Sequence, residues 1–205
     1  MTKILTGENV HSIIDQMFSL GVLDRVFENI HLELPPELST EYLVNLALLF
    51  RNSELSGEEL ASKMRDLLVL SKNDLLEISI IHECRYLSLD VTIESARRFH
   101  AAVPDRRKRL IMSYLEKNGI ETEKFDKLFR SINPGDLILN PIVNGERLAI
   151  VTGLAPGPRL GRLKGWLHRR QVEEASRTEE DVLQFLLDID WKSSDYQEWR
   201  ALSWP

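Results

Sequence analysis

Residues 153–172 read GLAPGPRLGRLKGWLHRRQV, and this stretch indicates how the rest of the chain folds. It begins with a proline–glycine–proline turn, and proline suits the first turn of a helix because its missing amide proton is not needed there. Apolar residues then recur every three or four positions, at Leu160, Leu163, Trp166 and Leu167. This spacing predicts a helix with one apolar face.

The same helix carries a run of positive charge with no acid before Glu173; its members are Arg159, Arg162, Lys164, Arg169 and Arg170. Gly161 and Gly165 lie four residues apart on one side, where another backbone could approach closely. A glycine inside a helix costs about 1 kcal/mol against alanine, so two of them indicate a packing or contact function. Helix-start amides and a basic face suit a phosphate backbone. The alternative is a solvated basic face on a packed helix.

A second basic run comprises Arg106, Arg107, Lys108 and Arg109, at the start of a helix predicted over 106–117. Positive charge at a helix start opposes the helix dipole, at a cost of roughly a few tenths of a kcal/mol. This local conflict hints at a contact function, and ordinary solvated arginines are the alternative. Arg97 and Arg98 precede the run and could join the same surface.

The composition is that of a soluble globular protein: 43% of the 205 residues are hydrophobic and 28% are charged. This length suits one domain or two small ones. The single cysteine, Cys84, excludes an internal disulfide framework and a cysteine-built zinc site. It is either a buried thiol or one whose pKa the neighbouring Arg85 lowers. The net charge of −6 does not by itself indicate a nucleic-acid partner, and no signal peptide or membrane span is predicted.

Helix signals recur along the whole sequence, and they predict an all-α fold. The predicted N-terminal caps are Ser56 with Glu59, Ser71 with Asp74, and either Ser39 or Thr40. The apolar run 46–50 is expected at the centre of the core. Other helices are predicted at 10–20, 93–100, 125–129, 145–151 and 182–189. The Asn144-Gly145 dipeptide alone would also fit a β-hairpin.

The predicted organisation is a bundle of short helices over 1–132, a smaller helical tail over 133–190 and an irregular extension over 191–205. The boundary is the turn Asn133-Pro134-Gly135-Asp136, which a loop at 137–139 follows. Trp191, Trp199 and Trp204 in the extension could pack back on the body.

Several segments together carry a resemblance to a known family. Residues 144–163 read NGERLAIVTGLAPGPRLGRL and residues 176–183 read SRTEEDVL. In this order they resemble the tail of the class II tRNA nucleotidyltransferases, which are the CCA-adding enzymes of bacteria and eukaryotes and the bacterial poly(A) polymerases. Residues 20–27, LGVLDRVF, resemble the neck of that family, and the serine-capped turns near 56 and 71 resemble its body. Ala155 stands where the family usually has lysine.

The resemblance implies RNA binding. In the family, body and tail hold the acceptor and T arms of tRNA by shape and backbone, while a head domain adds nucleotides at the 3′ end. Contacts from arginines and helix starts to phosphates fit A-form RNA, whose major groove cannot be read. We therefore predict that both basic runs bind RNA: Arg106, Arg107, Lys108, Arg109, Arg159, Arg162, Lys164, Arg169 and Arg170.

The signatures of the catalytic head have no counterpart in this sequence. Asp188-Ile189-Asp190 has the spacing of the metal-binding carboxylates of that head, but it ends a helical stretch and no Gly-Ser turn precedes it. We expect no catalytic residue, metal or cofactor here, because Mg²⁺ and CTP or ATP would belong to the head. The chain should be inactive alone, whether it is a fragment or a stand-alone protein.

The expected partners are tRNA or another structured RNA, and a separate catalytic head or a second copy of the chain. A cytoplasmic location is expected, with the mitochondrion as the alternative, and no membrane partner. Two other functions stay open: the C-terminal region of a poly(A) polymerase, and a helical scaffold that binds protein rather than RNA through residues 191–204.

Overall fold

The computed structural model describes residues 5, 9–27, 30, 32–133, 135 and 140–205. Within these residues there are eleven α-helices and no strand, which confirms the all-α prediction. The α-helices are α1 Val10–Ser19, α2 Val22–Val26, α3 Tyr42–Leu49, α4 Gly57–Leu67, α5 Lys72–Glu83, α6 Ile93–Ala102, α7 Asp105–Lys117, α8 Glu123–Ser131, α9 Gly145–Thr152, α10 Pro158–Glu174 and α11 Glu179–Gln184. Short 3₁₀ helices cover Cys84–Tyr86, Phe185–Asp188 and Tyr196–Glu198. Pro134, Asp136 and the loop predicted at 137–139 lie outside the described residues.

Local sequence explains where most of these helices begin. The Ser56 hydroxyl accepts the amide of Glu59 while the Glu59 carboxylate accepts the amide of Ser56, so the predicted capping box is confirmed. Ser71 caps α5 in the predicted way. Asn144 caps α9 by accepting the amide of Arg147 at 2.8 Å, so the helix forms there and the β-hairpin does not.

The cap predicted at Ser39 or Thr40 is wrong. Helix α3 begins at Tyr42, and its N-cap residue Glu41 makes no side-chain cap hydrogen bond. The Ser39 hydroxyl instead accepts the amide of Glu41 at 3.1 Å and lies 2.7 Å from the hydroxyl of Ser113. Ser39 therefore fixes the chain just before the helix and ties it to α7.

The first of two compact units comprises Met1–Ser88 and Asp105–Thr122. Helix α3 is its centre, and every residue from Leu43 to Phe50 is buried, as expected for the apolar run. Helices α5 and α7 pack against α3. Phe27 packs edge-on against Phe50, with ring centroids 5.1 Å apart, and thereby attaches the α1–α2 region to this core.

Two titratable side chains lie buried in the first unit. Burial lowers the pKa of His82 to about 4, and its Nε2 lies 3.0 Å from the carbonyl oxygen of Leu55. Burial likewise raises the pKa of the Cys84 thiol to about 12. Of the two interpretations of Cys84, the buried thiol is confirmed and a pKa lowered by Arg85 is wrong.

The second unit comprises Leu89–Pro104 and Glu123–Pro205, and α10 is its organising helix. Helices α6, α9 and α11 pack against α10. The apolar face predicted for α10 supplies Leu160, Leu163 and Leu167 to a core shared with Leu148 and Val182. Burial of such a face is the main source of stability for a helix in a small domain.

Helices α6 and α8 belong to this second unit although the sequence groups them with the body over 1–132. Phe99 of α6 packs against Phe125 of α8, with ring centroids 5.5 Å apart. Trp204 packs on Phe99 from the C-terminal end, at 4.4 Å. The boundary predicted near residue 133 stays a prediction, but the aromatic contacts join residues on both sides of it.

The C-terminal extension is mostly irregular, as predicted, apart from the turn of 3₁₀ helix at Tyr196–Glu198. Trp199 is buried and contributes to the core around α10, and Trp191 packs at its edge. The end of the chain is therefore part of the second unit. Among the described residues, no helix combines the length and apolar character that a membrane crossing requires.

Candidate nucleic-acid interface

The start of α10 is a helix end without a side-chain cap. Gly157 is the N-cap and Pro158 the first helical residue, and the first turn contains no acid. The first amide with a helical acceptor is that of Gly161, which donates to the carbonyl of Gly157 at 3.0 Å. Because proline has no amide proton, the amides of Arg159 and Leu160 are left at the positive end of the helix dipole. A helix start of this kind suits an anion.

The two glycines of α10 differ in what surrounds them. A Cβ atom at Gly165 would lie 2.9 Å from the Cβ of Ala201, so the close approach of the C-terminal segment explains that glycine. A Cβ atom at Gly161 would meet no described atom within 4 Å, and the residue is exposed. The sequence predicted close approach at both glycines. The folded chain supplies the approaching backbone only at Gly165.

Arg162 and Lys164 are the members of this basic run whose charge stays uncompensated. Arg162 is exposed and Lys164 half-buried, and neither forms an ion pair or hydrogen bond with a side chain among the described residues. Arg162 lies one position beyond Gly161, in the second turn of α10. A helix start, an open glycine and an uncompensated arginine therefore occur together.

Arg159 has a different environment, because its guanidinium is used inside the second unit. It donates to the carbonyl oxygen of Trp191 at 3.0 Å and to that of Ser194 at 2.6 Å. It also lies over the rings of Tyr196 and Trp199, at 5.6 Å and 5.3 Å from their centroids. These contacts hold the C-terminal segment on the first turn of α10, so Arg159 is a structural residue.

The two arginines near the end of α10 are paired with acids. Arg169 donates to Glu173 at 2.8 Å. Arg170 lies 3.3 Å from Glu174 and 3.5 Å from Asp188, and its guanidinium packs over the ring of Phe185.

Glu173 is the centre of a buried ion cluster that joins α10 to α6. Arg98 donates to its carboxylate and Arg97 to its main-chain carbonyl, both at 2.6 Å. Burial would raise the pKa of Glu173, but hydrogen bonds from Arg169 and Arg98 outweigh it and hold the pKa below its ordinary value. Arg97 and Arg98 therefore act within the second unit, whereas the run at 106–109 belongs to the first, and the expectation that they share one surface stays a prediction.

Each of the four basic residues of the run on α7 has a carboxylate of the first unit within 4.0 Å. Arg106 pairs with Asp74 at 2.9 Å, and Arg107 makes two hydrogen bonds to Glu77, at 2.8 Å and 3.1 Å. Lys108 is buried and pairs with Asp105 at 2.9 Å. Arg109 is the most exposed of the four, with 72% of its side chain accessible, and lies 4.0 Å from Glu41.

The dipole conflict predicted for α7 is smaller than the sequence suggests. The helix begins at Asp105, one residue before the predicted start, and this acid occupies its first turn. A hydrogen bond and the charge of Asp74 raise the pKa of Arg106, which keeps its guanidinium firmly protonated and paired. These pairs give the basic run of α7 a structural function.

Among the described residues, no group of three or more His, Cys, Asp or Glu side chains could hold a metal ion. Asp188 pairs with Arg170, and the carboxylate of Asp190 accepts the amides of Lys192 and Ser193. Hydrogen bonds from Ser193 lower the pKa of Asp190. The two aspartates thus have separate partners in the fold.

The sequence was compared with models of protein families and with curated proteins, and the fold with solved structures; none of these comparisons finds a match. The resemblance to the class II tRNA nucleotidyltransferases rests on the motifs quoted above.

Proposed function

We propose that this chain binds structured RNA, with tRNA as the first candidate, and that the start of α10 is the contact. The observation that carries the proposal is the coincidence of three features there: an uncapped helix start, the open Gly161 and the uncompensated charge of Arg162. Within the described residues, the helix start has no capping side chain, Gly161 has no close neighbour and Arg162 has no acidic partner. A glycine inside a helix also lowers the stability of the helix. A phosphate group would give all three a function.

The chemistry at this place matches a sugar–phosphate backbone. The amides of Arg159 and Leu160 can donate to phosphate oxygens at the positive end of the helix dipole. The missing side chain at Gly161 lets the RNA backbone approach the helix, and Arg162 and Lys164 add charge within the next turn. Contacts of this kind position a nucleic acid without reading its sequence, and they suit A-form RNA.

The local structure at the motif residues also supports the proposal. Gly153 ends α9 with a φ of 73°, a left-handed conformation that favours glycine. Thr178 caps α11 by accepting the amide of Asp181 at 3.2 Å, at the position of the family's final helix start. The resemblance depends on the order of these elements: the Asn144 cap, the helix end at Gly153, the proline turn, the basic helix α10 and the capped helix α11.

Further parts of the proposal depend on the resemblance alone. They are a cytoplasmic setting, a partner that supplies nucleotide addition or a second copy of the chain, and the choice between CCA addition and polyadenylation. The protein-binding alternative depended on the C-terminal tryptophans. Trp199 is buried and Trp204 packs on Phe99 and Phe125, so intramolecular contacts engage these rings, which weighs against that alternative.

Replacement of Gly161 by alanine tests the proposal, because stability and binding should change in opposite directions. The new methyl group meets no described atom, so the higher helix propensity of alanine should stabilise the fold by up to about 1 kcal/mol. The same methyl group would lie between α10 and an approaching phosphate backbone. Affinity for labelled tRNA should therefore fall several-fold while the melting temperature stays equal or rises.

Gly145→Ala is the matched control. Gly145 is also a first-turn helical glycine with no described atom within 4 Å of a Cβ, but Asn144 caps its helix start. This variant should gain stability and keep full tRNA affinity. A Gly161→Ala protein that binds tRNA as tightly as the wild type would contradict the proposed contact.

A further inference from the structure

A cleft of about 330 Å³ lies beside the basic face of α10, within the second unit. One wall comes from α10 and the other from the C-terminal segment that crosses the helix at Gly165. Its volume is at the small end of the range for ligand sites, about 300–1,000 Å³. The residues that line it are Trp166, Arg169, Arg170, Glu173, Glu198 and Arg200.

The groups at the cleft combine an aromatic ring with charges of both signs. The Trp166 ring is partly buried against the core of the second unit. Glu198 and Arg200 are exposed, and neither forms an ion pair with a described residue. Arg169 and Glu173 are paired with each other, so they contribute little net charge. The Nε of Arg170 is buried and has no hydrogen-bond partner within the described part of the chain.

This combination selects a ligand with three properties. The indole ring offers a stacking surface, which every nucleobase can use. The Glu198 carboxylate accepts hydrogen bonds from amino or imino groups, as acidic side chains do on base edges, and it repels a simple anion. The planar guanidinium of Arg200 can donate two hydrogen bonds to one phosphate group. A nucleotide supplies a flat ring, N–H donors and a phosphate in one group.

The cleft continues the surface proposed for RNA binding. Arg162, Trp166 and Arg169 are spaced four and three residues apart, so they lie along one face of α10. About two turns of α10 separate the helix start from Trp166, so an RNA strand with a phosphate at the helix start and running along this face would reach the cleft. We propose that the cleft holds one unpaired nucleotide of the bound RNA, with its base on Trp166 and its phosphate at Arg200. This inference rests on the proposed RNA binding.

The test compares two RNA probes: a blunt-ended RNA duplex, and the same duplex with a short single-stranded extension. Affinities are measured by fluorescence anisotropy at constant salt. The wild-type protein should bind the extended duplex tighter by about five- to a hundredfold, the range expected from stacking of one base on an aromatic side chain. Trp166→Leu should remove most of this preference without changing the affinity for the blunt duplex.

Two further variants separate a ring contact from a packing defect. Trp166→Phe keeps an aromatic face and should retain most of the preference. Arg200→Ala alters an exposed residue, so it leaves the fold intact, and it should also reduce the preference. Lys192→Ala is the control, since it removes an exposed cation of the same C-terminal segment that does not line the cleft.

Equal wild-type affinities for the two probes would overturn the inference. So would a preference that survives both Trp166→Leu and Arg200→Ala. In either case binding of the blunt duplex would leave the proposed RNA binding in place. If neither probe binds, the inference and the proposed function are both overturned.

Discussion

The basic run on α7 and the basic start of α10 look alike in the sequence, where each places several cations near the beginning of a helix. In the folded chain they differ in what faces them. Residues 106–109 each lie within 4.0 Å of a carboxylate, including Asp74 and Glu77 of α5. At the start of α10, Arg162 and Lys164 face no carboxylate within the described residues.

The difference shows that a run of basic residues in a sequence does not by itself indicate a function. The function depends on whether acidic side chains pair with the run in the folded chain. On α7 the partners of Arg106 and Arg107 come from α5, about thirty positions earlier, so these two pairs stabilise the contact between α5 and α7. At α10 the acids Glu173 and Glu174 compensate Arg169 and Arg170 near the end of the helix but do not reach its start. The first run therefore makes contacts within the first unit, and RNA binding at the start of the second is our proposal.

Lowering the pH should decrease the stability of the first unit before that of the second, and this is the largest effect that we expect. His82 of the first unit has its pKa lowered to about 4 from an ordinary value of 6.5. Between these values the unfolded chain binds a proton that the folded chain does not. The free energy of unfolding should therefore fall by roughly 3 kcal/mol as the pH drops from 6.5 to 4. Urea denaturation at several pH values would measure the loss.

The second unit should respond in a lower pH range. The pKa of Glu173 lies below its ordinary value of 4.5, so the stability it contributes is present above pH 4.5 and is lost as the pH falls through its folded value. Hydrogen exchange resolved by residue should thus show α3 and α5 losing protection before α6 and α10. Loss of protection in both units over one pH range would contradict this order.

Removal of an acid opposite α7 should destabilise the first unit. Glu77→Ala leaves Arg107, whose side chain is 22% accessible, without its carboxylate partner. We expect a loss of about 2 kcal/mol, less than the 3–5 kcal/mol of a fully buried pair because Arg107 keeps some contact with water. Chemical denaturation measures it. Glu54→Ala, which alters an exposed glutamate, should change stability by less than about 0.5 kcal/mol.

The features that the sequence predicted correctly depend on neighbours along the chain. The Ser56–Glu59 capping box, the Asn144 cap and the proline at the start of α10 each involve residues a few positions apart. Spacing of four also explains the Arg169–Glu173 pair. Such signals specify where a helix begins and which of its faces is buried.

What the sequence missed depends on contacts between distant positions. Phe99 packs on Trp204, which places α6 with the C-terminal end, and no local pattern records that contact. The C-terminal segment that supplies Glu198 and Arg200 to the cleft also comes close to α10 where Ala201 meets Gly165. In the sequence, the only local sign of the cleft was Gly165, a glycine inside a helix that no nearby residue explains.

We propose that the start of α10, and not the run on α7, meets RNA phosphates. Titration of labelled tRNA at several salt concentrations tests it with wild type, Arg162→Ala/Lys164→Ala and Arg106→Ala/Arg109→Ala. Each double variant removes two cations. The α10 variant should lower the slope of log affinity against log salt by about 1.4–1.8, the value for two lost phosphate contacts. The α7 variant should keep the wild-type slope. Identical slopes for wild type and the α10 variant, or a decrease seen only in the α7 variant, would contradict the assignment.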